Sequence, residues 1–164
     1  MKNKLGLLLG MSLIAGGAVA AEPDYATIRM EIDIAKPAAE VWSKVGAYCD
    51  ISKWLGLECK LVKGQGEIGS IRDLANGRVL EIVIAKTALS YGYTQPAPEG
   101  KFFNSYHGFM EAVPVNAKSS KMVYTIFIDE SDKADKAAKD ADIANRRTRF
   151  ETALKKMKEL AEAK

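Results

Sequence analysis

Residues 27–42 read TIRMEIDIAKPAAEVW and join a strand directly to a helix. Polar and apolar side chains alternate strictly over the first half, Thr27–Ile34, which is typical of a strand with one buried face. The second half favours a helix, because Pro37 falls near the first turn, where a missing N–H costs nothing. Gly46 ends this helix, and residues 48–54 indicate a second short helix. The domain therefore opens with a strand and two short helices.

A series of strands in hairpin succession follows. Asn76-Gly77 is the dipeptide that best marks a tight hairpin turn, and strand-like residues flank it on both sides. A loop at 96–100 and a polar turn at 116–120 separate the later strands. The predicted strands are residues 58–62, 70–75, 78–86, 89–95, 102–115 and 121–128.

One long amphipathic helix is predicted from Asp135 to the C-terminus. This segment contains no Gly or Pro, its acids cluster near the start and its lysines near the end, as the helix dipole favours. Apolar positions recur at helical spacing, and the stripe comprises Ile143, Arg147, Phe150, Ala153, Leu154, Met157, Leu160 and Ala161. The whole pattern predicts an α+β domain over residues 21–164, with a curved antiparallel sheet of six to seven strands around the helix. Space left between sheet and helix would be a ligand site.

The first twenty residues have the pattern of a secretory signal peptide. A basic start at 1–4 precedes an apolar run at 5–15, and Ala18-Val19-Ala20 supplies the small residues of a cleavage site. We therefore predict a signal peptide over 1–20 and a periplasmic or secreted protein. Cleavage near Ala20 removes two lysines and no acids, so the net charge falls from +3 to +1.

Composition excludes several classes of function. A nearly neutral mature chain lacks the basic surface that nucleic-acid binding requires. No later stretch approaches the roughly 18 apolar residues of a membrane span. His107 is the single histidine, which argues against a His-rich metal site, and no cofactor is predicted.

The two cysteines, Cys49 and Cys59, lack the spacing of a redox or zinc motif. In an oxidising compartment we expect them to form a disulfide. Closing a loop of about ten residues would stabilise the fold by roughly 2–3 kcal/mol. Two buried free thiols are the alternative.

Several short segments of the chain resemble sequences of the START-like SRPBCC superfamily, also described as polyketide cyclase/dehydrase and lipid-transport proteins. They are Ala38-Ala39-Glu40-Val41-Trp42, Gly69-Ser70-Ile71-Arg72-Asp73-Leu74, Glu81, Leu89-Ser90-Tyr91-Gly92-Tyr93 and Asn104-Ser105-Tyr106. The resemblance implies a helix-grip fold. The leader and the cysteine pair look most like small periplasmic members, including methanol-oxidation accessory proteins. Those members carry Trp-His-Pro where this chain has Trp54-Leu55-Gly56.

The plant hormone-receptor branch of the superfamily implies a set of cavity residues. By that resemblance the polar side chains that point inward are Glu81, Tyr91, Tyr93, Tyr106 and Asp129. The implied apolar lining is Leu74, Val83, Phe127, Phe150, Leu154 and Met157. Leu57 stands where those receptors have a lysine that grips an acidic ligand.

Glu81 is the candidate catalytic or ligand-orienting residue, because it lies in the apolar stretch 79–84. Facing a cavity, it could hydrogen-bond a ligand or exchange protons with it. The alternative is an exposed glutamate paired with Arg72 across the hairpin. The opposite strand face carries Leu80, Ile82 and Ile84. Either that face is a homodimer or partner surface, or the assignment is one residue out of register.

The three tyrosines at 91, 93 and 106 have two interpretations as well. Each joins an apolar ring to a hydroxyl that needs a partner when buried, which suits a pocket for an aromatic ligand. Ordinary strand packing is the alternative. His107 follows Tyr106 directly, so we expect it on the opposite strand face, exposed or at a rim.

Three functional hypotheses follow. The first is a periplasmic binding or carrier protein for a hydrophobic or aromatic small molecule. The second is a cofactor-independent cyclase or lyase that uses Glu81 as a general base in the same cavity. The third is an accessory protein for a periplasmic dehydrogenase that acts through its outer strand face.

Overall fold

The computed structural model describes residues 22–96 and 105–163. The predicted signal peptide and the first residues of the predicted strand 102–115 lie outside that range. The described residues form seven strands and three helices in the predicted order. The elements are β1 Tyr25–Ile34, α1 Ala38–Val45, α2 Ile51–Leu55, β2 Cys59–Lys63, β3 Ile71–Leu74, β4 Val79–Lys86, β5 Ser90–Gln95, β6 Tyr106–Asn116, β7 Ser119–Asp129 and α3 Lys136–Glu162.

The strands form one antiparallel sheet in the order β1-β7-β6-β5-β4-β3-β2. The first strand pairs with the last, so the seven strands form one continuous layer although α1 and α2 separate β1 from β2 along the chain. α3 packs against β1 and against both short helices. Asp135 caps its start by accepting a 2.8 Å hydrogen bond from the Ala138 backbone N–H. The α+β helix-grip prediction is confirmed.

The turn between β3 and β4 is wider than the tight hairpin predicted from Asn76-Gly77. The last paired positions are Leu74 and Val79, so four residues form the turn. Ala75, Asn76 and Gly77 all have positive φ angles, of 53°, 58° and 83°. The Asp73 carboxylate holds this conformation by accepting a 2.6 Å hydrogen bond from the Gly77 N–H.

Alternation along β4 settles which face Glu81 occupies. Glu81 and Val83 are 3% and 1% exposed, whereas Leu80 and Ile84 are 44% and 42% exposed. Glu81 therefore points into the protein, and the interpretation that shifts the strand by one residue is wrong. The apolar outer face of β4 exists as predicted, but its role as a dimer or partner surface remains a prediction.

Cys49 and Cys59 form a disulfide, with Cα atoms 5.4 Å apart. The alternative of two free thiols is wrong. The bond joins the segment before α2 to the start of β2, which is an edge strand of the sheet. Within the described ranges, no helix is both long and apolar enough to cross a membrane.

Candidate functional site

A cavity of about 250 Å³ lies between the sheet and α3, where ligand binding is predicted. We call it the inner cavity. One wall comes from β3, β4, β5 and β6, the second from α3, and the third from α2 and the residues after it. The lining residues are Ile51, Leu55, Leu57, Leu74, Val79, Glu81, Tyr93, Gln95, Tyr106, Arg146, Arg149 and Phe150.

A second cavity of about 450 Å³, the outer cavity, adjoins the first at the end of the sheet. The two share Val79, Gln95, Tyr106 and Arg146 as lining residues. The wall of the outer cavity contains more charged residues, since it adds Arg78, Asp129, Asp132 and Lys133.

Glu81 forms a buried ion pair on the wall of the inner cavity. The Arg72 Nε donates a 2.7 Å hydrogen bond to its Oε2, and the Gln95 side-chain amide donates at 3.0 Å to its Oε1. The predicted pairing with Arg72 is therefore right, but the interpretation of an exposed pair is wrong. The Glu81 carboxylate therefore lines the inner cavity with its negative charge balanced by Arg72.

Arg72 is fully buried and lies among aromatic rings. Its guanidinium carbon lies 4.1 Å from the Tyr48 ring centroid, 5.7 Å from that of Tyr91 and 5.1 Å from that of Tyr93. It also donates a hydrogen bond to the Tyr48 backbone carbonyl. Ring faces and a carboxylate together replace the water that this cation loses on burial.

The inward-pointing tyrosines have different surroundings. The Tyr93 and Tyr124 hydroxyls are 2.8 Å apart and hydrogen-bonded inside the core. Burial raises the pKa of both phenols well above its usual value, so both stay neutral. Tyr106 is half-buried and borders both cavities, and burial raises its pKa too. Tyr106 therefore offers a neutral hydroxyl-bearing ring where the two cavities meet.

Five of the predicted cavity residues line the inner cavity. They are Leu74, Glu81, Tyr93, Tyr106 and Phe150. Four others lie in the packed core instead of on a cavity wall, and this corrects their assignment: Tyr91, Val83, Leu154 and Met157.

The physical reason for that correction is that side chains fill the deeper end of the space between sheet and helix. The ring of Tyr91 meets those of Trp42 and Tyr48, with centroids 5.7 and 5.3 Å away. Its hydroxyl lies 3.9 Å from the Met110 sulfur. Tyr91 is therefore a core residue, in agreement with the alternative of ordinary strand packing.

Phe127 and Asp129 do not line the inner cavity either. Phe127 lies on the outer sheet face, because Ile126 and Ile128 take the inward positions of β7. Its ring stacks on Tyr25, with centroids 4.9 Å apart. Asp129 borders the outer cavity only, and its Oδ1 accepts a 2.9 Å hydrogen bond from the Ser131 backbone N–H.

His107 is on the outer sheet face, opposite in direction to Tyr106, as predicted. Its ring packs near that of Phe127, with centroids 5.9 Å apart. It is only partly exposed and lines neither cavity.

Two arginines of α3 belong to the site but have no place in the predicted apolar stripe. Arg146 and Arg149 line the inner cavity beside Phe150. Arg147, which the stripe includes, is exposed and lies 3.7 Å from Glu151. Helical position was a signal in the sequence for Arg146, because a residue four places before the buried Phe150 lies on the same face of the helix; for Arg149, one place before it, helical position gave no such signal.

An acid pair lies behind Arg146. The Arg146 Nε donates a 2.5 Å hydrogen bond to Asp142, and its guanidinium carbon is 5.4 Å from the Tyr106 ring centroid. Burial and the neighbouring Asp142 carboxyl raise the pKa of Glu130 to about 7. Burial alone would also raise the pKa of Asp142, but hydrogen bonds from Arg146 and Glu130 outweigh it and lower that pKa. Asp142 thus stays an anion beside the arginine.

Comparison with known proteins agrees with this architecture. The family model described as polyketide cyclase / dehydrase and lipid transport matches residues 25–162. No curated protein sequence matches the chain.

Among solved structures, the Zhui aromatase/cyclase from Streptomyces sp. R1128 superposes with a TM-score of 0.66 at 16% identity, over 85% of this chain and 94% of its own. A protein from Nitrosospira multiformis gives 0.63 at 23% identity, over 80% and 93%. Norcoclaurine synthase from Thalictrum flavum gives 0.59 at 14% identity, over 89% and 99%. At these identities the similarity shows the fold alone.

Proposed function

The chain belongs to the polyketide cyclase / dehydrase and lipid transport family, and on that premise we propose that it binds or carries a hydrophobic or aromatic small molecule in the inner cavity. The observation that carries the proposal is the cavity itself. About 250 Å³ of space is kept open between the sheet and α3, and its wall combines six aliphatic or phenyl side chains with a smaller number of charged or amide side chains. Ligand sites in proteins commonly have this composition.

The lining indicates how such a ligand would be held. Contact with Leu55, Leu57 and Phe150 removes apolar surface from water, at about 25 cal/mol per Å². Gln95 and Tyr106 lie where the two cavities meet and are placed to orient a polar group. Glu81 adds a hydrogen-bond acceptor whose negative charge is already balanced by Arg72. An uncharged part of a ligand can therefore lie against Glu81 without facing an unpaired carboxylate.

The proposal includes export from the cytoplasm. The signal-peptide pattern at 1–20 supports it, and so does the Cys49–Cys59 disulfide, because such bonds persist mainly in oxidising compartments. Native mass spectrometry of protein recovered from the periplasm would test cargo and processing together. We expect a chain shortened near Ala20 that carries a non-covalent small-molecule adduct.

A fluorescent probe tests the cavity directly. N-phenyl-1-naphthylamine is neutral and apolar, and we expect saturable binding with a fluorescence increase. Leu57→Trp places a larger side chain on the wall and should weaken binding by roughly tenfold. Leu61→Trp is the matched control, because Leu61 lines neither cavity. Absence of both probe binding and a native adduct would refute the proposal.

Cyclase-type or lyase-type catalysis in the same cavity is the second candidate. The observation in its favour is that Glu81 shares the cavity wall with the hydroxyls of Tyr93 and Tyr106. Both Glu81 oxygens already accept hydrogen bonds, although a carboxylate retains further lone pairs. Glu81→Gln distinguishes the candidates: a carrier should keep probe affinity within about tenfold, whereas an enzyme should lose about 10²-fold or more in rate.

The accessory-protein hypothesis stays a prediction. Its basis is the outer face of β4, where Leu80 and Ile84 are exposed. Ile82→Asp should abolish capture of a periplasmic dehydrogenase if this surface is the contact.

A further inference from the structure

We infer that the ligand is an amphipathic anion, with its apolar body in the inner cavity and its anionic group between Arg149 and Arg146. The inference rests on the proposed function and specifies the ligand class for the same site. The cations of the inner cavity come from α3, since Arg146 and Arg149 are the basic residues in its lining.

Arg149 is the first element of the anion site. It lies on the cavity wall next to the buried Phe150, yet the arginine itself is exposed to solvent. Its neighbours pair along the helix, Arg146 with Asp142 and Arg147 with Glu151, whereas Arg149 is in none of the ion pairs of the described residues. A cation without a carboxylate partner at the edge of an apolar cavity is suited to a ligand anion.

Arg146 is the second element. One of its five N–H groups is donated to Asp142, and this contact holds the guanidinium in place over the Tyr106 ring. The remaining N–H groups are available to a second acceptor. A guanidinium whose position is already fixed loses less conformational entropy when it binds an anion.

The charges around the inner cavity favour an anion over a cation. Arg72 balances Glu81, and Asp142 balances Arg146. Arg149 adds one uncompensated positive charge. A ligand with one negative group would neutralise this excess, whereas a cationic ligand would meet repulsion.

Two related probes separate the anionic contribution from apolar binding. N-phenyl-1-naphthylamine and 8-anilinonaphthalene-1-sulfonate share one ring system, and only the second carries a sulfonate. We expect the sulfonate probe to bind roughly tenfold tighter at low salt. The difference should shrink as sodium chloride is added, because salt screens exposed charges.

Substitutions on one helix provide the controls. Arg149→Gln should remove most of the preference for the sulfonate probe and change binding of the neutral probe less than about twofold. Arg149→Lys retains the charge and should keep part of the preference. Arg147→Gln makes the same change of net charge on the same helix, outside both cavities, and should leave the binding of both probes unchanged.

The outcomes distinguish this inference from the proposed function. If the neutral probe binds and the sulfonate brings no advantage, or if Arg147→Gln removes that advantage as fully as Arg149→Gln, the anion site is refuted and the apolar cavity stands. If neither probe binds and the native protein carries no small-molecule adduct, the proposed function itself fails.

Discussion

Arg72 and Glu81 occupy opposed positions on β3 and β4, and their side chains pair inside the protein at 0% and 3% exposure. The pair connects the aromatic core around Tyr48 to the wall of the inner cavity. Its position explains how a strand of apolar residues tolerates a glutamate. It also means that substitutions of Glu81 test stability as well as function.

Removing one partner of this pair should destabilise the fold strongly. Glu81→Leu leaves a buried guanidinium without its carboxylate, and we expect the free energy of unfolding to fall by about 3–5 kcal/mol. Replacing both partners, with Arg72→Met and Glu81→Leu, should cost clearly less than the sum of the two single changes. Urea denaturation of the four proteins measures this coupling, and strictly additive losses would contradict it. Glu31→Ala is the control, because its ion pairs are exposed.

A second prediction concerns Gly108, over which the Tyr93 ring lies. A Cβ at Gly108 would lie 2.2 Å from Tyr93 Cζ, which is impossible without movement. Because Tyr93 is held by its hydrogen bond to Tyr124, Gly108→Ala should lower stability by about 1–3 kcal/mol. In a Tyr93→Leu background, Gly108→Ala should lower stability far less. Thermal denaturation of the single and double variants measures this difference. An equal cost of the alanine with or without Tyr93 would contradict the clash.

The order of elements could be predicted from the sequence, but the direction of Glu81 could not. Strand side chains alternate with a period of two, yet both faces of β4 carry apolar residues, so alternation alone leaves two possible directions for Glu81. The same parity contradicts the inward assignment of Phe127, which came from family resemblance. Ile126 and Ile128 already held the inward positions.

The extent of the cavity could not be predicted, because it depends on contacts between distant elements. Tyr91 is a core residue and not a wall residue because its ring meets those of Trp42 from α1 and Tyr48 from the segment between α1 and α2. Alternation fixes the face of a side chain, but the depth to which that face is filled depends on the volumes of its neighbours. The roles of Arg146 and Arg149 depend likewise on how α3 is rotated against the sheet.

A third prediction links the disulfide to the cavity. Cys49 and Cys59 enclose α2 and the residues after it, which supply Ile51, Leu55 and Leu57 to the inner wall. Replacing both cysteines by serine should lower stability by roughly 2–3 kcal/mol and also weaken binding of N-phenyl-1-naphthylamine, since this wall loses its tether. Reduction of the unmodified protein should reproduce both effects. Unchanged probe affinity in the destabilised variant would show that the wall keeps its shape without the bond.

The last prediction concerns the pH dependence of stability at Glu130. Burial and the adjacent Asp142 raise the pKa of Glu130 from an ordinary value of 4.5 to about 7. Between these two values the folded protein holds a proton that the unfolded chain has lost. Stability from this group is therefore present below about pH 4.5 and disappears as pH rises through 7.

Glu130→Gln keeps the side-chain shape and removes the titration, so it should raise the melting temperature at pH 8 and change it little at pH 5. The expected gain at pH 8 is of order 1–3 kcal/mol, because each unit of pKa shift corresponds to about 1.4 kcal/mol. Glu159→Gln, on the exposed end of α3, provides the control and should act equally at both pH values. The same gain at pH 5 as at pH 8 would mean that the effect of Glu130→Gln is unrelated to the proton. A gain confined to pH 8 would confirm that the surroundings of the Glu130 carboxyl keep it protonated up to about pH 7 in the folded protein.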